Sequence, residues 1–100
     1  MQAKADYDSQ GDTIQIDLVD PVGRVDFGND EVDDGLVISI RDGKPVRIDV
    51  IGTGGDVGAS LRRAGDHYGL DSDALLAAAR AAVAVPDREV ILDISSHAAA

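Results

Sequence analysis

A chain of 100 residues with 19 acids, nine bases, two histidines and no cysteine carries a formal net charge of −10. Its length fits one domain, residues 1–100, with a modest core. The missing thiols exclude disulfides and cysteinate metal sites. Acidity spread along the whole chain disfavours direct binding to DNA or RNA, whose phosphates are held by lysine and arginine; it suits a basic protein partner.

The core is aliphatic by necessity, because the aromatic residues are only Tyr7, Phe27 and Tyr68. No apolar run reaches the ~18 residues of a membrane span, and the start of the chain is not charged and then apolar. The expectation is a cytoplasmic protein that neither crosses a membrane nor carries a secretory signal.

The first half reads as strands. D-Y-D-S-Q-G-D at 6–12 joins two of them and resembles the opening of a calcium loop, with Asp6, Asp8 and Asp12 as candidate ligands and Asp17 at the twelfth place. Calcium loops of that kind lie between helices and close on a bidentate Glu, so a polar hairpin turn is the reading preferred here. Ile14, Ile16 and Leu18 then alternate with polar residues, the period of a half-buried strand. N-D-E-V-D-D-G at 29–35 is an acidic loop, and Leu36, Ile38 and Ile40 resume the alternation, as do Val46, Ile48 and Val50.

The turn at 41–43 sets the register between those last two strands. A two-residue Asp42-Gly43 loop would place Ile38 against Arg47. A three-residue loop with left-handed Gly43 places Ile38 against Val46 and Leu36 against Ile48, and the apolar pattern selects it.

Past residue 52 the period lengthens. V-I-G-T-G-G-D-V-G at 50–58 suggests a phosphate cradle, but the Walker and dinucleotide spacings both fail at Val57, no lysine is near, and Asp56 adds negative charge. The stretch is read as a turn. Asp56 caps a helix bearing Val57, Leu61 and Ala64 that Gly69 ends. Asp71 caps a second helix, which carries Leu75, Leu76, Ala79, Ala82 and Val83 and is stopped by Pro86. Residues 88–94 form a last strand with Val90, Leu92 and Ile94 on one face.

The blocks Tyr7-Asp8 with Asp12 and I-Q-I-D-L, E-V-D-D-G before L-V-I-S-I, and D-G-K-P-V-R-I-D-V-I resemble the bacterial family called domain of unknown function 2283, over roughly residues 3–52. That resemblance implies a small β-meander protein with no established activity. Some members lie beside genes for small candidate toxins, which implies an antitoxin-like role. Gln15 stands where members often carry an aromatic residue, and the 56–95 helix–helix–strand extension lies outside the pattern.

The expected class is therefore α+β: an antiparallel meander, one or two helices on one face and a C-terminal strand. Catalytic components are missing. Asp66 and His67 diverge on a helix, and His97 lies with Ser95 and Ser96 in a tail. The function expected is a non-catalytic, cofactor-free interaction module, a homodimer through Leu75, Leu76, Ala79, Val83 and Ile91. The alternative is a small-molecule or divalent-ion binder using the acidic loops and the 52–58 turn.

Overall fold

The computed structural model describes residues 2–19, 21–29 and 35–93. Among these residues six strands form one antiparallel sheet: β1 (Gln2–Asp8), β2 (Thr13–Asp17), β3 (Phe27–Asn29), β4 (Leu36–Arg41), β5 (Lys44–Ile51) and β6 (Val90–Asp93). Their spatial order is β3-β4-β5-β2-β1-β6. The consecutive hairpins β3-β4-β5 and β1-β2 are joined by pairing of β2 with β5, as in a Greek key. The α+β class and the returning C-terminal strand are as the sequence predicts.

Alternation decides which face is buried. Ala3, Ala5, Ile14, Ile16, Leu18, Leu36, Ile38, Ile40, Val46, Ile48 and Val50 all point inward and are buried. Lys4, Asp6, Gln15, Asp17, Arg47 and Asp49 occupy the other side of the same strands, half-exposed. Two helices, α1 (Val57–Tyr68) and α2 (Ser72–Ala84), cover the apolar face. α2 lies on β1, β2 and β6, while α1 rests mainly on α2 and reaches β5.

Both helices begin and end where the sequence signals them. Asp56 accepts a hydrogen bond from the Ala59 amide at 2.9 Å, and Gly69 is left-handed at φ 68°. Asp71 accepts from the amides of Asp73 and Ala74. Each cap satisfies donors that the first helical turn leaves open. Gly65 lies tight against the turn into α2, where a Cβ would lie 2.2 Å from Ser72 Oγ and 3.0 Å from the Leu70 carbonyl oxygen.

The β4–β5 register differs from expectation. Arg41 pairs with Lys44 across a two-residue loop in which Asp42 (φ 54°) and Gly43 (φ 76°) are both left-handed, the signature of a type I′ turn. Ile38 faces Ile48, not Val46, and Leu36 faces Val50, not Ile48. A β-bulge makes this possible: the partner of Ser39 is Arg47 while that of Ile40 is Pro45, so Val46 is an extra residue. The bulge restores the phase that a two-residue turn alone would break. Pro45, which has no N–H to give to a ladder, sits beside it.

Candidate functional site

The helical layer leaves an opening. Between the N-terminal half of α1 and the exposed flank of α2 runs a groove whose inner part, about 330 Å³, is floored by Ile14, Val57, Leu76, Ala79 and Val83 and edged by Thr53, Asp56 and Arg80. It continues outward, over about 460 Å³, past Ala59, Arg62, Arg63 and Asp66. Asp56, Gly58, Leu76 and Arg80 line both parts. Gly58 presents no side chain to it, and a Cβ at that position would lie 3.7 Å from Leu76 Cδ1, an ordinary contact.

The Gly-rich stretch borders this groove but is tied down. Asp12 Oδ1 accepts hydrogen bonds from the Thr53 hydroxyl at 2.6 Å and the Tyr7 hydroxyl at 2.8 Å, while its Oδ2 accepts from the Thr53 amide at 3.1 Å. The Asp12 carbonyl accepts from the Gly52 amide at 2.8 Å. These donors, Thr53 first, hold the Asp12 carboxyl below its ordinary value. The same carboxylate raises the Tyr7 phenol. At the head of α1, Asp56 Oδ1 occupies the position in which a bound phosphate would meet the Ala59 amide.

A second clip lies across the sheet edge. Asp87, at φ 62°, accepts from the Ser9 hydroxyl at 2.6 Å and the Ser9 amide at 3.0 Å, and its own amide donates to the Tyr7 carbonyl. The Ser9 donors lower the Asp87 carboxyl.

The three candidate metal ligands are not brought together. Asp8 Oδ1 accepts from the amides of Gln10 and Gly11, closing the β1–β2 turn on itself. Asp12 serves Tyr7 and Thr53. Asp6 points from the polar sheet face, where burial first, and then Asp17 and Glu89, push its carboxyl up. Among the described residues no three His, Asp or Glu gather closely enough to hold an ion. The acidic loop at 29–35 falls almost wholly outside the described residues, as do His97 and Ile94.

On that polar face Asp17 receives Arg47 Nε at 2.6 Å and Nη2 at 3.4 Å. The neighbouring Asp49 is pushed up, chiefly by burial, against the pull of Arg47.

The expected interface residues separate into three places, which corrects the single surface read from the sequence. Leu75 and Ala79 are 0% and 2% exposed and belong mainly to the core, because they face β1 and β2. Leu76 and Val83 line the groove, Val83 at 43% exposure. Ile91 is 60% exposed on the polar side of the sheet, opposite Lys4. Asp66 and His67 are exposed on α1, with the His67 ring edge-on to Tyr68 at 4.7 Å.

Sequence reasoning named the 52–58 turn, which holds Thr53 and Gly58, as an alternative binding element, but passed over Tyr7 and Arg80 as site residues. The spacing of Arg80 from Leu76 and Val83, one turn either way on α2, was the available signal.

No family model matches this chain, and no curated protein or solved structure does either. Among the described residues no helix is long and apolar enough to cross a membrane.

Proposed function

We propose that the protein is a non-catalytic interaction module that engages another protein through the α1–α2 groove. The supporting observation is the groove's lining: aliphatic side chains, glycine backbone, three guanidinium groups, the carboxylates of Asp56 and Asp66 and the Thr53 hydroxyl already bound to Asp12, a set suited to binding by burial and charge. Leu76 and Val83 remain partly open in a layer that otherwise closes over the core. An antitoxin-like role, as the resemblance of residues 3–52 implies, is the concrete form of this proposal.

Capture from the native host with the intact chain and with the Val83→Glu/Arg80→Glu variant tests it. The reading expects a protein retained by the first and lost from the second. Identical captures would overturn it.

Homodimer formation belongs to the same proposal, placed at β6 rather than at the helix face. Among the described strands β6 pairs only with β1, leaving its outer edge for a second copy, and Ile91 stands exposed beside that edge. Light scattering over a dilution series should give a dimer that Ile91→Lys dissociates. A monomer at high concentration would refute it.

A further inference from the structure

We infer that the α1–α2 groove receives an acidic, apolar segment of the partner protein, with its carboxylates at Arg62 and Arg80 and its aliphatic side chains over Leu76 and Val83. The inference rests on the groove being the interaction site and adds the chemistry of what enters it.

Charge is the first argument. The chain as a whole is at −10, yet three of its nine bases, Arg62, Arg63 and Arg80, line this one depression against two acids, Asp56 and Asp66. Arg63 is engaged in another interaction, so the charges open to a ligand are those of Arg62 and Arg80. Arg62 and Arg80 form no ion pair among the described residues, although acids outnumber bases about two to one in the chain. Exposed guanidinium groups on neighbouring helices, with no carboxylate in ion-pair distance among the described residues, suit a carboxylate from outside, which they take in planar, paired hydrogen bonds.

Reach separates the kinds of anion. A nucleic acid extends far beyond the groove, and its phosphates would meet the acidic surroundings. Side-chain carboxylates need only the local field, which dominates within a Debye length of ~8 Å at physiological salt. The apolar floor adds a second requirement that phosphate does not meet: Leu76 and Val83 gain from burial only against apolar groups. Arg80 lines both the apolar and the basic part, so an acid and an apolar residue close together in sequence satisfy both at once. Basic residues flanking such a segment would lie against the acidic remainder of the surface.

The probe is a short peptide alternating glutamate and leucine, with glutamine–leucine and lysine–leucine peptides as controls, titrated against the full chain while amide chemical shifts are followed. The glutamate peptide should bind saturably, moving amides of residues 56–63 and 76–83, and the controls should not. Arg62→Gln/Arg80→Gln should weaken binding about tenfold, as should raised salt. Gly58→Leu should weaken it by filling the floor while leaving the unfolding midpoint no lower than that of the native chain.

Equal binding of the glutamate and glutamine peptides, shifts confined to the polar sheet face, or arginine variants that bind undiminished would each overturn the inference. So would a second copy of the chain occupying the groove. Groove-dependent capture of a host protein without glutamate-peptide binding would sink this inference and leave the module reading standing; loss of both would sink both.

Discussion

Thr53 holds Asp12 by both its hydroxyl and its amide, at 2.6 and 3.1 Å, so the first bend of the Gly-rich stretch is fastened to the β1–β2 turn 41 residues earlier in the chain. The Tyr7 hydroxyl shares the same carboxylate oxygen. The groove beside Thr53 therefore has one fixed wall, even though Gly54 and Gly55 have no neighbour within reach of a Cβ.

Stability should peak in mild acid. Asp12 and Asp87 titrate below their ordinary values in the fold, so they stabilise it above the ordinary value and lose that contribution as pH falls through the lowered ones. Asp6 and Asp49 titrate above it, so the native state holds their protons more tightly and gains stability as pH falls through the raised values. The two limbs meet near the unperturbed carboxylate value, roughly pH 4. Urea unfolding across pH should show Asp49→Asn flattening the neutral limb and Asp12→Asn flattening the acid one. A plateau from neutral to strongly acid pH would disprove this.

Gly65→Ala should destabilise by about 1–3 kcal/mol, because the new methyl meets the Leu70 backbone as well as Ser72. In the same helix Gly58→Ala meets only ordinary contacts and should stabilise by up to ~1 kcal/mol. Denaturant midpoints with unchanged slopes would establish the opposite signs.

Gly43→Val should cost about 1–3 kcal/mol through backbone strain alone, since no atom lies within 4 Å of a Cβ there. Asp42→Gly should cost far less, because glycine adopts a φ of 54° freely. Equal midpoints for the two variants would contradict the I′ turn.

Leu75→Ala should lose about 2–5 kcal/mol, as for other fully buried leucines. Ile91→Lys, measured at high dilution, should stay within ~0.5 kcal/mol of the native chain. Thermal or chemical unfolding read by circular dichroism distinguishes them, and similar losses for both would mean Ile91 is covered.

Elements were legible in this sequence because their signals are local. Asp56, Gly69 and Asp71 announce helix ends within a few residues, and period two marks Ile14–Leu18 and Leu36–Ile40 as strands. Register was less so: turn and bulge compensate each other, and only the inward phase of Ile38 and Ile48 is visible in the pattern. On α2 the apolar stripe is so wide that Leu75 and Leu76 look alike; which of them meets the sheet depends on how the helix is rolled. Tyr7, Asp12 and Thr53 were hidden for a different cause, since nothing local in Thr53 reports a carboxylate 41 residues away.

Among the described strands the first is closed by the last. Ala5 pairs with Val90 and Gln2 with Asp93, while Asp87 fastens to Ser9 on the same margin. During synthesis β1 can pair with β2 early, but its other edge stays bare until β6 has emerged, and folding waits on a contact between distant parts of the chain. Until then, any β6 already displayed by another copy fits that edge equally well. Among the described strands the β1–β6 pairing is thus the longest-range contact of the sheet, and the one that an exchange of strands between copies would use.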